Sequence, residues 1–183
     1  MNLLIIIGMT ITFMSNPLHI KFSVDGEPQF SRVFDTMSEQ IESIEPALLD
    51  ISTDFFQHMM RVFKMEGAVD ERTRWTPLSQ SYAAWKRKHY PSAKILHLTG
   101  RLEKSLTEKG SPDNIMNLDK LTLSIGTRVP YALKHQRGVR GELPQRKIID
   151  LTAPLKKRWT HIIHQHIYDK VKKTWGDARP SYR

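Results

Sequence analysis

The chain contains no cysteine and no apolar run long enough to cross a membrane. Disulfide bonds and thiolate metal sites are therefore excluded, and a small secreted scaffold is not expected. The longest apolar run, Leu3 to Met14, is too short to span a bilayer. It also lacks the preceding basic residues and the small-residue cleavage site of a secretory signal. We therefore expect no membrane association.

Two interpretations of residues 1–17 remain open. The segment is an added strand or arm that packs on a neighbour, or translation begins at Met14 and the preceding residues are not made. We favour the second interpretation, because "MSNPLHIKFSV" reads as a start followed by an alternating strand.

The familiar catalytic motifs are also missing: there is no glycine-rich phosphate loop, no H-E-x-x-H and no G-x-S-x-G. His161, His164 and His166 are the best metal candidates, but only the first two are spaced to share a helix face. His135 has no nucleophile or paired carboxylate near it in the sequence, and general acid–base catalysis needs such a partner. We therefore predict no enzymatic activity, no cofactor and no metal site.

The excess positive charge lies in the C-terminal third. The 183-residue chain has a formal net charge of +9. From residue 131 onward there are 13 Lys+Arg and 4 Asp+Glu, whereas the first 130 residues hold 15 of each. One interpretation is a surface that faces nucleic acid or an acidic protein. The other is a solvated helix face followed by a tail.

Hydrophobic periodicity predicts the first half of the fold. Leu18 to Val24 alternates apolar and polar residues, as in a strand with one buried face. Apolar residues then recur at helical spacing from Phe30 to Val62, interrupted by Pro46, so we expect either a kinked helix or two helices, the second beginning near Glu45. His58 lies on the apolar stripe and is expected in the core or at its edge.

The second half contains shorter elements. Thr76 and Pro77 are typical of a helix start, and that helix should end before Tyr90. Thr99 should cap another helix that runs to Leu106. A hairpin is predicted from 114 to 128, with its turn at Asp119-Lys120. A C-terminal helix is predicted from its apolar stripe, formed by Leu155, Trp159, Ile162, Ile163, Ile167 and Val171.

These elements indicate an α+β fold, with long amphipathic helices packed around a small antiparallel sheet, a C-terminal helix and a mobile basic tail. We expect residues 1–17 to be the N-terminal arm or misassigned start, residues 18–174 to form a single domain, and residues 175–183 to form the tail.

Four stretches occur in a characteristic order: "WTPLSQSYAAWK", "ILHLTGRLEKSL", "LSIGTRVPYALKHQRG" and "LPQR". Together they resemble the phage virion morphogenesis family, which includes tail-completion and neck proteins of Mu-like and related contractile-tailed phages. The extra N-terminal residues and "RKIIDLT" depart from the family pattern. The positions that match it are Trp75, Pro77, Leu78, Lys86, Leu98, Thr99, Gly100, Leu102, Ile125, Gly126, Tyr131, Ala132, His135, Gln136, Gly138, Pro144 and Arg146.

The resemblance implies a structural protein of a phage or prophage virion and no catalysis. It implies tail completion or termination, or head–tail joining in the neck, by a subunit of a homo-oligomeric ring, which we expect to be a hexamer. Its neighbours would be neck, tail tube or sheath proteins, first met in the host cytoplasm during assembly. The charge distribution keeps an alternative open, a non-specific DNA-binding accessory protein of packaging or of the neck lumen.

The stretch "YALKHQRGVRGELPQRKI", Tyr131 to Ile148, is interpreted as an assembly loop whose charged part meets a partner. Alternatively, His135 and Gln136 satisfy only local backbone groups. The residues predicted to contact a partner are Tyr131, His135, Gln136, Arg137, Arg140, Arg146 and Lys147. The motif residues predicted to be structural are Trp75, Pro77, Leu78, Thr99, Gly100, Leu102, Gly126 and Gly138.

Overall fold

The computed structural model describes residues 9–13, 18–22, 43–70, 72–91 and 93–177. Three predictions fall partly outside these residues: the last two residues of the predicted strand (23–24), the first part of the long apolar pattern (30–41), and most of the basic tail (178–183). The rest of that strand and the later helices and hairpin lie within them.

The described residues form a mixed helix and sheet structure, so the α+β prediction is confirmed. The four strands are β1 (Met9–Phe13), β2 (Leu18–Phe22), β3 (Asn114–Asp119) and β4 (Thr122–Thr127). The described helices are α1 (Glu45–Lys64), α2 (Gln80–His89), α3 (Arg101–Thr107), α4 (Ala132–Arg137) and α5 (Ala153–Asp177).

The strands form one antiparallel sheet in the order β1-β2-β4-β3. The predicted hairpin is confirmed as β3 and β4, in which Asp119 lies opposite Thr122. β2 joins the other side of β4, with Leu18 opposite Thr127. β1 pairs with β2 within the same chain; the two interpretations of residues 1–17 stay predictions.

Helix α1 is the centre of the core. It begins at Glu45 with Pro46 in its first turn, as predicted, since proline is tolerated where the backbone N–H has no helical partner. Its apolar stripe packs against α3, α5 and the sheet. Trp159 of α5 is fully buried, as predicted from the stripe, and its indole N–H donates to Asp54 of α1 at 2.6 Å. The same carboxylate accepts from Arg158 at 3.0 Å.

Two helix starts differ from the predictions. Helix α2 begins at Gln80, with the Ser79 hydroxyl accepting from the Tyr82 N–H, so Thr76 is not its cap. The reason is tertiary, because the carbonyl groups of residues 76 and 77 are bonded elsewhere in the chain, as described below. Helix α3 has Gly100, not Thr99, as its cap residue, with φ +78°. Glycine adopts this left-handed conformation without steric cost.

His58 lies in the core with only 2% of its surface exposed, as the stripe predicted. Burial lowers the pKa of His58 from 6.5 to about 4. Asp70, whose carboxylate lies 3.5 Å away, opposes this shift, whereas Arg61, Arg158 and Arg72 reinforce it. Folding therefore holds this imidazole neutral.

We expect the free energy of unfolding to fall as the pH is lowered from 6.5 to about 4. In that window the unfolded chain binds a proton at residue 58 and the folded chain does not, which costs about 3 kcal/mol in total. Urea unfolding at a series of pH values measures the loss. His58→Leu should have a shallower pH dependence; the same slope in both proteins would contradict this assignment. Some slope should remain, because burial also lowers the pKa of His135.

Candidate functional site

The segment between β4 and α5 is the candidate site, because it carries all seven predicted contact residues. It opens with α4, which the sequence analysis treated as loop. Residues 137–145, which begin at the last residue of α4, are named the basic loop. This loop closes on itself through reciprocal backbone hydrogen bonds between Val139 and Leu143, at 2.7 and 2.8 Å. Its residues line an open concavity of about 650 Å³.

Gln136 fixes the N-terminal side of the basic loop. Its side chain is buried, with 5% exposed. The amide oxygen accepts from the N–H groups of Ile148 and Ile149 at 2.7 and 3.1 Å, and the amide nitrogen donates to the Ile149 carbonyl at 2.6 Å. One side chain therefore satisfies three backbone groups of the segment that leaves the loop.

Arg146 fixes the C-terminal side. Its guanidinium is buried, with 4% exposed, and donates to the carbonyl groups of Thr76 at 2.8 Å and Pro77 at 3.0 Å. Its own backbone N–H donates to the His135 carbonyl at 2.8 Å. Burial lowers the pKa of Arg146. The basic loop is thus held at both ends by buried polar side chains, an arrangement that we call the latch (Gln136 and Arg146).

A second connection lies beside the latch. The indole N–H of Trp75 donates to the Lys147 carbonyl at 2.8 Å, and the Arg72 guanidinium donates to the same oxygen. The Trp75 backbone N–H donates in turn to the Glu66 carbonyl at 2.8 Å. The stretch from Arg72 to Pro77 is therefore bonded on one side to the end of α1 and on the other to the end of the basic loop.

His135 has no catalytic setting among the described residues. Its ring lies edge-on to Tyr131, with 6.2 Å between ring centroids. Its Nδ1 atom is buried, and no described group bonds it. Burial lowers the pKa of His135, and the positive charge of Arg146 lowers it further. This imidazole is consequently neutral near pH 7 and has no carboxylate to orient it.

The structure corrects two of the seven predicted partner contacts. Gln136 and Arg146 are not surface residues: their polar atoms are bonded to backbone groups of this chain, as the alternative interpretation proposed for Gln136. For the other five, contact with a partner stays a prediction. Tyr131, Arg137, Arg140 and Lys147 are exposed, and His135 is half-buried.

The motif residues predicted to be structural also differ in how far they are buried. Trp75, Leu102, Gly100 and Gly126 are buried, whereas Leu78 and Gly138 are half-buried and Pro77 and Thr99 are exposed. The backbone carbonyl of Pro77 nevertheless carries the connection to Arg146. The structural role of this set, as the sequence analysis proposed it, stays a prediction that substitution can test.

The sequence analysis overlooked Lys86 and Glu66 as buried or connecting residues. Lys86 is buried, with 4% exposed, and donates to the Lys94 carbonyl. The Glu66 carboxylate accepts from the Ile95 N–H at 2.9 Å and pairs with Arg74 at 2.7 Å. A pattern that could have revealed this region is charge segregation: residues 72–102 contain seven Lys+Arg and no Asp+Glu.

Two glycines of the basic loop offer a matched test of its geometry. Gly138 and Gly141 both have positive φ, +74° and +80°. A Cβ at Gly138 would lie 2.9 Å from the backbone nitrogen of Gln145, whereas one at Gly141 would meet nothing within 4 Å. We expect Gly138→Ala to lower the free energy of unfolding by about 1–3 kcal/mol more than Gly141→Ala. Denaturant titration measures both; equal losses would mean that the loop does not close as described.

The C-terminal histidines do not form a metal centre with nearby carboxylates in the described structure. Across residues 9–13, 18–22, 43–70, 72–91 and 93–177, no three His, Asp or Glu side chains are grouped to hold an ion. In that same part of the chain, no helix combines the length and the apolar character needed to span a membrane.

Comparison with known proteins gives one finding. The sequence model described as the phage virion morphogenesis family matches residues 26–168, well over half of the chain. This region includes Trp75, both latch residues and the basic loop. No curated protein and no solved structure matches the chain significantly.

Proposed function

Because the chain belongs to the phage virion morphogenesis family, we propose that it completes the tail or joins it to the head, as a ring-forming subunit of the neck. The family gives the protein a role in phage virion structure or assembly. The particular step, the ring and its expected six-fold symmetry are our proposal, as are neck, tail tube or sheath proteins as its neighbours.

The observation that carries this proposal is the latched basic loop. Exposed Arg137 and Arg140 lie between two buried side chains that fix the ends of the loop to the core. A contact element that is held in place before docking loses less conformational entropy when it binds. Such an element suits a subunit that must meet a neighbour in one defined orientation.

We further propose that the protein is not an enzyme. The half-buried His135 is the best general base of the site, but the groups around it are Tyr131 and Arg146, and neither activates a nucleophile or orients the imidazole. The polar side chains of the latch are bonded to backbone groups and so are committed to structure.

The alternative function, non-specific DNA binding, draws less support from the structure than from the composition. Several of the C-terminal cations have partners inside the protein, among them Arg146 in the latch, Arg158 in its pair with Asp54 and Lys170, which donates to the Ser43 carbonyl. Lys156 and Lys157 remain exposed on α5, where they could meet phosphate groups. Protein contact by the basic loop is therefore the better-supported use of the charge.

Deletion of the gene in a phage that carries it tests the proposal. We expect separate heads and unjoined or unfinished tails in electron micrographs, and restoration by the native gene. Arg140→Glu should fail to restore joined particles because it reverses an exposed charge of the basic loop. Lys109→Glu reverses a charge that is also exposed but lies outside this loop, and should restore them.

Normal infectious particles from the deletion would overturn the proposal. Native mass spectrometry of the purified protein tests the ring separately. Binding of duplex DNA with a dissociation constant below about 1 μM and steep salt dependence would favour the alternative instead.

A further inference from the structure

Helix α2 carries large aromatic side chains that the described part of the chain leaves exposed. Of its ten residues, only Lys86 is buried. Tyr82 and Trp85 are 41% and 43% exposed, and Tyr90, just beyond the helix, is 39% exposed. A helix of this length is marginal in water without tertiary packing. Exposed Trp and Tyr on such a helix are typical of a surface that another molecule covers.

These aromatic residues are arranged as one ordered stack. The ring centroids of Tyr82 and Trp85 are 5.5 Å apart, and those of Trp85 and His89 are 4.9 Å apart, with interplanar angles of 19° and 27°. Tyr90 lies against Trp85 at 5.8 Å. The His89 Nδ1 atom is 2.8 Å from the Trp85 carbonyl, which holds the ring in place. These four residues are named the aromatic ladder.

The aromatic ladder is fixed to the body of the protein before any partner binds. Ser79 caps the start of α2, and Lys86 is anchored on the Lys94 carbonyl. Lys94 in turn donates to the Lys64 carbonyl at the end of α1, at 3.0 Å. The rings are therefore presented in one orientation, which lowers the entropic cost of docking.

Nucleic acid bases fit this surface poorly. Base binding by stacking needs a free aromatic face. Tyr82, one turn before Trp85, and His89, one turn after it, stack on the indole and so cover its two faces. The parts of Tyr82, Trp85 and Tyr90 that stay exposed are largely apolar and suit aliphatic and aromatic protein side chains.

The charge around the ladder indicates which protein surface would fit. Arg87 and Lys88 are exposed beside it, and residues 72–102 contain no acidic residue. A second copy of this chain fits this basic surface less well, because it also carries a net charge of +9 and some of its carboxylates are already paired with arginines of its own. Those paired with arginine are Asp54, Glu66, Asp113 and Asp150.

We propose that the aromatic ladder, with Arg87 and Lys88 at its rim, is the docking surface for a different protein that presents an apolar patch bordered by Asp and Glu. This inference rests on the proposed function, since that partner is then a neighbouring virion protein. Trp, Tyr and Arg are the residues that dominate binding energy at protein interfaces, and the ladder concentrates them on one short helix.

The test uses heads and tails isolated separately from the deletion lysate, mixed with purified protein and collected by sedimentation. Trp85→Ala should bind one of the two structures at least about tenfold more weakly than the native protein. The matched control is Tyr168→Ala, since Tyr168 is an aromatic residue of α5 with 60% exposed; it should bind normally. The double variant Arg87→Glu, Lys88→Glu should also bind weakly, and raised salt should weaken native binding.

Circular dichroism melting distinguishes docking from folding, because the docking variants should melt close to the native temperature. If Trp85→Ala were to unfold, the charge-reversed double variant would still test the surface. Native binding by both the Trp85 and the double variant would overturn the proposal. Loss of ring formation in Trp85→Ala would also overturn it, because the partner would then be a second copy of this chain. Binding of single-stranded DNA that depends on Trp85 would overturn it as well. If the deletion gave separated heads and tails and Trp85→Ala fully rejoined them, the docking role of the aromatic ladder would be rejected. The proposed function would not be affected.

Discussion

Arg146→Ala is expected to lower the free energy of unfolding by about 2–4 kcal/mol. The substitution leaves the carbonyl groups of Thr76 and Pro77 without their donors and removes a buried side chain from between two segments that lie 70 residues apart. The loss would be a large share of the stability of a typical domain, which is about 5–15 kcal/mol. Urea or guanidinium titration followed by circular dichroism measures it.

Two variants show whether the loss comes from the latch. Arg140→Ala removes an exposed arginine of the basic loop and should change stability by less than about 0.5 kcal/mol. Arg146→Lys keeps the positive charge but replaces the planar fork with a single ammonium group, so it should recover only part of the loss. Native stability of Arg146→Lys would show that the positive charge alone is sufficient. Native stability of Arg146→Ala would show that the Arg146 hydrogen bonds do not stabilise the fold.

The latch gives a physical reason why these family motifs occur together. Trp75 and Pro77 belong to the first motif, Gln136 to the third and Arg146 to the last, yet their hydrogen bonds join the end of α1, the start of α2 and both ends of the basic loop. The motifs that matched the family by sequence are therefore bonded to one another in the fold. The surface that we propose for contact with a partner is formed by exposed neighbours of these residues, such as Arg137 and Arg140.

The sequence predicted the elements whose formation depends on periodicity. α1, the β3–β4 hairpin and α5 were expected because their buried faces recur at helical or alternating spacing over many residues. α4 was missed because its six residues, ALKHQR, are too few to show a periodic stripe. The start of α2 was predicted three residues early. Thr76-Pro77 is a typical helix start, but the bonds from Arg146 hold its carbonyl groups outside any helix.

The candidate site was predicted in position but not in its division of roles. Charge marks residues 137–147 as a basic segment, and it cannot distinguish Arg140, which is exposed, from Arg146, which is buried. That distinction depends on carbonyl groups far away in the sequence. The same holds for helix α2, where the sequence does not reveal that the large aromatic residues Tyr82 and Trp85 remain exposed.

Gln136→Ala is expected to have the other large effect, a loss of about 3–5 kcal/mol in the free energy of unfolding. Three buried backbone groups, the N–H of Ile148 and both the N–H and carbonyl of Ile149, lose their partners at once. Both isoleucines belong to the core, so water cannot replace the amide without opening it. The measurement is again denaturant unfolding, with Gln57→Ala as control, since Gln57 is an exposed glutamine of α1.

Gln136→Met separates the hydrogen bonds from the packing of this side chain. Methionine has nearly the same length and volume as glutamine and offers no N–H donor, so it fills the site but cannot bond the two isoleucines. If the three bonds carry the effect, this variant should be almost as unstable as Gln136→Ala. Recovery of most of the native stability by methionine would show instead that the amide only fills space. The hydrogen bonds of the Gln136 amide would then contribute little to stability, and Arg146 alone would hold the basic loop in position.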